Sequence, residues 1–185
     1  MEKKYSLVLG LQKMENNLFN KLQECKECRF HDWEVNVWNE EKGYGKYGAF
    51  TYSDKPTVMI VGQNPSHRRF PAPLNHSLSG HQGDIFRNIF GKENLILTNL
   101  VRISTPDNKI TIEDAKHGWK HTYEEIMFFM PKLVIALGRF CKEVIPPASI
   151  SKIVYFKHPD YYQTYNKSGL EEYIKSIKEI KQKYT

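Results

Sequence analysis

The chain has 185 residues, of which 40% are hydrophobic and 26% charged, enough for one globular domain with a buried core. That balance excludes collagen, coiled coil and wholesale disorder. No run approaches the roughly 18 consecutive apolar residues of a membrane span, and the opening Met1-Glu2-Lys3-Lys4-Tyr5 carries no signal-peptide core, so a cytoplasmic chain with no membrane partner is expected. Three cysteines argue against a disulfide framework and leave reduced thiols or a metal contact. The 27 Lys and Arg against 21 Asp and Glu give a charge of +6, which suits a polyanionic partner without requiring one.

A first helix is expected over residues 14–25. Residues 57–61 form a continuous apolar, β-branched run and read as a strand buried on both faces. Residues 82–90 place Ile85, Phe86, Ile89 and Phe90 on one helical face. A second buried strand is expected over 95–98, then a helix over 112–130 with Thr111 as N-cap and Pro131 as stop. A third strand at 133–137 runs into a short helix at 138–144, and a fourth strand follows at 153–156. Residues 170–184 carry Tyr173, Ile174, Ile177 and Ile180 on one face with lysines opposite, a terminal amphipathic helix. Strand and helix alternate and no linker or repeat intervenes, so the expected class is α/β, one domain over 1–185 with a central four-stranded parallel sheet.

In such a sheet ligands bind beyond the carboxyl ends of the strands. The residues there are Gly62-Gln63-Asn64-Pro65-Ser66-His67 after the first strand, Asn99 after the second, Gly138 after the third and His158-Pro159-Asp160-Tyr161-Tyr162 after the fourth. Each has a bland reading, since Gly, Asn and Pro are ordinary turn formers and a lone His is more often structural than catalytic. Together, two amides and an imidazole at one rim could hold a water, read a planar heterocycle and stabilise a departing anion.

These segments resemble the uracil-DNA glycosylase superfamily in order and spacing over 57–162. Val58-Met59-Ile60-Val61-Gly62-Gln63-Asn64-Pro65 is similar to the family's first motif, and Leu97-Thr98-Asn99-Leu100-Val101-Arg102 to the segment whose Asn reads the base. Pro131-Lys132-Leu133-Val134-Ile135-Ala136-Leu137-Gly138, the helix start Gly80-His81-Gln82-Gly83-Asp84-Ile85-Phe86 and Lys157-His158-Pro159-Asp160 resemble the iron-sulfur branch. The resemblance implies a glycosylase-like three-layer sandwich acting on DNA as a monomer.

Several positions depart from the family pattern. Cys25 and Cys28 match the first pair of the four cluster cysteines, whereas Ile103 and His117 stand where the second pair belongs, which argues against an iron-sulfur cluster. Cys25, Cys28, His31 and His117 could instead hold zinc. The reading preferred from sequence is that no metal or other cofactor is bound and the two thiols are relics. Cys141 reads as core. Asn64 replaces the Asp of the most efficient uracil enzymes; an amide can orient water but cannot take up its proton. The segment whose Phe stacks on the flipped base aligns with Ser77-Leu78-Ser79-Gly80, so Leu78 replaces a flat platform unless Phe70 substitutes for it. The loop over 66–76 is polar, basic and aromatic: His67, Arg68 and Asn75 could line a pocket for a hydroxyl-rich substituent, while Arg68 and Arg69 also fit phosphate contact or plain surface charge.

The resemblance implies a monofunctional glycosylase that flips a modified pyrimidine out of the duplex and leaves an abasic site. His158 would donate to the pyrimidine O2, Asn99 would hydrogen-bond the base edge, Asn64 with the backbone at Gln63 would position water, and Asp160, Tyr161 and Tyr162 would enter the minor groove. Leu78 and the polar loop lean towards a bulky 5-substituted cytosine, hydroxymethylated or glucosylated as in phage DNA, for which some superfamily members defend bacteria. Uracil excision in repair is the first alternative, and a non-catalytic DNA-binding relative the second.

Overall fold

The structure is a computed structural model and describes residues 25, 50–51, 56–64, 81–101, 109–146 and 151–185. Five strands, β1 (Phe50–Thr51), β2 (Val58–Gly62), β3 (Leu95–Asn99), β4 (Leu133–Leu137) and β5 (Lys152–Phe156), form one sheet in the order β1-β3-β2-β4-β5. The last four are mutually parallel, as expected, while β1 is a two-residue antiparallel edge strand against β3. Two residues are too few to show any hydrophobic period, so nothing in the sequence announces β1.

The helices are α1 (His81–Phe90), α2 (Ile112–Phe129), α3 (Gly138–Val144), α4 (Pro159–Thr164) and α5 (Leu170–Tyr184). Every residue of β2, β3 and β4 is buried, and successive residues feed opposite cores. Val58, Ile60, Leu95, Leu97, Leu133 and Ile135 pack on Phe86, Ile89 and Phe90 of α1 and on Tyr173 and Ile177 of α5. Met59, Val61, Ile96, Val134 and Ala136 pack on Ala115 and Ile126 of α2 and Cys141 of α3. This explains the unbroken apolar runs: a strand sandwiched between two helical layers has no solvent face on which to alternate.

Helix α2 begins as the sequence predicts. The Thr111 hydroxyl accepts from the Asp114 backbone N–H at 3.1 Å while the Asp114 carboxylate accepts from the Thr111 N–H at 2.7 Å, a reciprocal capping box. Its end falls one residue early, because Met130 takes a left-handed conformation with φ 45. Pro131 follows, where the helix could not continue in any case. The helix expected over 14–25 lies outside the described residues, Cys25 excepted. Helix α4 has no counterpart among the sequence expectations. His158 caps it and Pro159 occupies its first position, a start signal visible in the sequence but read there as a loop.

The windings place the crevice. From β2 the chain crosses to β3 through α1 on one face, whereas from β4 it crosses to β5 through α3 on the other. Two adjacent strands whose connections depart to opposite faces leave an opening between their carboxyl ends. Here that opening lies between Gly62 and Gly138. Gly138 has φ 85 with nothing within 4 Å of where a Cβ would sit, so it is the backbone turn into α3 that calls for glycine there.

Candidate functional site at the carboxyl rim of the sheet

Gly62 at the end of β2 is in register with Asn99 at the end of β3. The pairing continues past both strands, since the N–H groups of Leu100 and Val101 donate to the carbonyls of Gly62 and Gln63 at 2.9 Å each. Asn64 and Asn99 therefore leave the sheet side by side, and both are buried, at 8% and 3% exposure. The Gln63 amide N–H donates to the Asn64 side-chain oxygen at 3.0 Å, which fixes the orientation of that amide. On the other side of β2, β5 is in register with β4 up to Leu137 and Phe156, and His158 stands two residues beyond. The same rim thus receives Gln63, Asn64, Asn99 and His158.

The cap of α4 decides the chemistry of His158. Its Nδ1 accepts from the Asp160 backbone N–H at 3.3 Å and lies 3.3 Å from an Asp160 carboxylate oxygen. With Nδ1 accepting from that backbone N–H, the neutral ring carries its proton on Nε2. In that tautomer Nε2 is a donor, and the half-buried ring is held by the helix it caps.

The residues after His158 separate into two sets. Tyr162 is half-buried and packs on Tyr173, ring centroids 4.5 Å apart, within the core formed with Phe156. Burial pushes the Tyr173 hydroxyl well above the ordinary tyrosine range. Tyr161 is exposed, the Lys157 ammonium stands 4.0 Å from its ring centroid, and the exposed Tyr165 lies 6.2 Å further along. Sequence reasoning missed Tyr165, although its spacing of four from Tyr161 puts both on one helical face. Asp160 is exposed and turned towards His158.

Behind the rim, α2 crosses the end of β3 on a stripe of Ala115, Gly118, Thr122 and Glu125, all buried. The Thr98 hydroxyl donates to the Glu125 carboxylate at 2.7 Å, and the Thr122 hydroxyl donates back to the Gly118 carbonyl at 3.1 Å. On the same helix His117 and His121 meet Cys25: Cys25 Sγ is 3.1 Å from His117 Nε2, which is 3.2 Å from His121 Nε2. All three ligand atoms lie within 4.8 Å of one another. His121 escaped the sequence reading, although two histidines four apart on a helix are a metal-binding spacing. The chain has three cysteines in all, so it cannot furnish the four thiolates of a cluster, whereas a mixed thiolate and imidazole set of this kind could coordinate zinc. Cys141 is buried against the Val61 and Gly62 carbonyls, as the core reading expects.

Phe70, His67, Arg68, Arg69, Asn75, Leu78, Cys28 and His31 lie outside the described residues.

Asn64, Asn99 and His158 thus stand at the carboxyl rim of a three-layer α/β sandwich, the edge at which open sheets of this kind take ligands. The profile of the Uracil DNA glycosylase superfamily matches residues 50–181, and the chain belongs to that superfamily. A search of curated proteins finds no match. Among the described residues no helix is long and apolar enough to cross a membrane.

Proposed function

We propose that the protein is a monofunctional DNA glycosylase that hydrolyses the N-glycosidic bond of a flipped pyrimidine deoxynucleotide. What supports this reading is the placement of Asn64, Asn99 and His158 after the carboxyl ends of β2, β3 and β5 in a chain that belongs to this superfamily. The bond between the sugar anomeric carbon and the base nitrogen breaks with its electron pair moving onto the base. A water oxygen bonds to that carbon and loses its proton to solvent. His158 donates to the pyrimidine O2 and stabilises the developing anion, the role in which a preorganised donor is worth most. Asn99 hydrogen-bonds the base edge, and Asn64, held by Gln63, positions the water. The +6 charge supplies salt-dependent affinity for phosphates. Tyr161, exposed under Lys157, fills the gap left by the flipped nucleotide, and the partly buried Tyr162 supports α4 from behind.

For the substrate we favour a bulky 5-substituted cytosine, hydroxymethylated or glucosylated. Leu78 at the position of the stacking aromatic leaves room beside the pyrimidine C5 edge, and His67, Arg68 and Asn75 offer hydrogen bonds to a polar substituent. A pocket built to bond a polar group discriminates against bases lacking it, because its own polar atoms are then left unpaired. The test is incubation with genomic DNA of defined modification state, followed by detection of alkali-labile abasic sites and mass spectrometry of the released base. Release from modified-cytosine DNA exceeding release from uracil DNA, with Leu78→Phe shifting preference back to uracil, is the expected outcome. Robust release of uracil alone would return the protein to ordinary repair. Absence of any released base, with DNA still bound, would mean a non-catalytic binder.

A further inference from the structure

The meeting of Cys25, His117 and His121 is independent of the glycosylase reading and has a chemistry of its own. His117 Nε2 faces two polar partners at once, the Cys25 sulfur at 3.1 Å and His121 Nε2 at 3.2 Å. A ring nitrogen has a single in-plane position, either a lone pair or an N–H, and cannot direct it well at both. A cation between the three atoms removes the conflict, since a thiolate and two neutral imidazoles can all point lone pairs inwards. With Zn–S near 2.3 Å and Zn–N near 2.0–2.1 Å, tetrahedral geometry sets ligand atoms about 3.3–3.6 Å apart. The two short separations here differ from that by a few tenths of an ångström.

The elements presenting the ligands are equally informative. His117 and His121 are one turn apart on α2 and their rings meet edge to face, with centroids 5.0 Å apart. Cys25 comes from 92 positions earlier in the chain. All three are partly buried, which shields a bound ion from solvent. Next to His117, Gly118 packs directly on the Leu100 carbonyl, one residue beyond Asn99.

We propose that Cys25, His117 and His121 bind one zinc ion that pins Cys25 to α2, and that this site steadies the helix against the Asn99 end of β3. The ion is structural: it links segments distant in sequence and its binding energy becomes folding energy. Loss of the ion loosens the backbone at Leu100 and Val101 before it unfolds the sheet.

The test uses the full-length protein expressed with zinc in the medium and purified without chelator. Elemental analysis is expected to find about one zinc per chain, and exhaustive dialysis against a chelator is expected to lower the melting temperature by several degrees, with zinc restoring it. Cobalt(II) added to the stripped protein should give the intense d–d bands of a tetrahedral site together with a thiolate charge-transfer band. His121→Ala and Cys25→Ser should each fall to under about a tenth of an equivalent, while Cys141→Ala keeps the full equivalent. Hydrogen exchange at Leu100 and Val101 should rise on stripping. Substoichiometric zinc with no response to added metal would overturn the proposal, as would a full equivalent retained in His121→Ala. Should the variants fail to fold, the cobalt spectrum of the stripped wild-type chain decides: absence of the tetrahedral and thiolate bands refutes the site.

Discussion

Gly118 of α2 lies so close to the Leu100 carbonyl that a Cβ added to it would stand 1.9 Å from the oxygen. That contact lets the helix ride directly over the carboxyl end of β3, where Asn99 leaves the sheet. A methyl group cannot be absorbed there, because the obstacle is the backbone of the buried Leu100, which is tied through its N–H to the Gly62 carbonyl. Gly118→Ala is expected to destabilise the fold by about 1–3 kcal/mol, as overpacking does. Base release should fall more than stability alone explains, since the displaced segment begins one residue after Asn99. An unchanged denaturation midpoint would show that α2 shifts away without cost.

The cap of α4 makes a separable prediction about His158. On the proposed mechanism, His158→Ala should lower the single-turnover rate by about two orders of magnitude or more while DNA affinity stays within a few-fold, because a bond donated to O2 would strengthen mainly in the transition state. Asp160→Ala keeps the backbone N–H that holds Nδ1 as an acceptor, and its rate should drop by about tenfold or less. Equal losses in the two variants would assign the carboxylate, and not the backbone cap, the work of orienting the ring.

Binding to DNA should weaken steeply with salt, through release of counterions. Removing the Lys157 ammonium beside Tyr161 should reduce the slope of log affinity against log salt by about 1, whereas Tyr161→Ala should leave that slope intact and slow the formation of the flipped complex. Affinity indifferent to salt would contradict a DNA substrate.

Burial pushes the Cys141 thiol up from 9.0 to about 12. The unfolded chain loses that proton near its ordinary value, so between the two the folded state holds one proton more than the unfolded state. Stability contributed by this group is present below pH 9 and is lost as the pH rises towards 12, at up to about 1.4 kcal/mol per pH unit. Tyr155, raised by burial and by the neighbouring Cys141, acts in the same direction. Denaturant titrations should show wild-type stability falling above pH 9 and Cys141→Ala falling less steeply from a lower plateau. Parallel slopes would mean that the thiol ionises equally in both states.

Much of the architecture was legible from residue order because local chemistry decides it. Unbroken apolar runs at 57–61, 95–98 and 133–137 can be buried on two faces only in the middle layer of a sandwich, and Thr111 caps the start of α2 through a contact three residues away. The polar residues following each run were visible for the same reason: in a parallel sheet every carboxyl end falls on one rim. The packing of Tyr162 on Tyr173, the contact of Gly118 with Leu100 and the meeting of Cys25 with His117 and His121 were decided only by the tertiary structure. Each joins residues from separate elements, and no periodicity or capping rule acts across such a gap. Two histidines four apart state a helix spacing, but it takes the folded chain to bring a thiol from 92 positions away to within 3.1 Å of one of them.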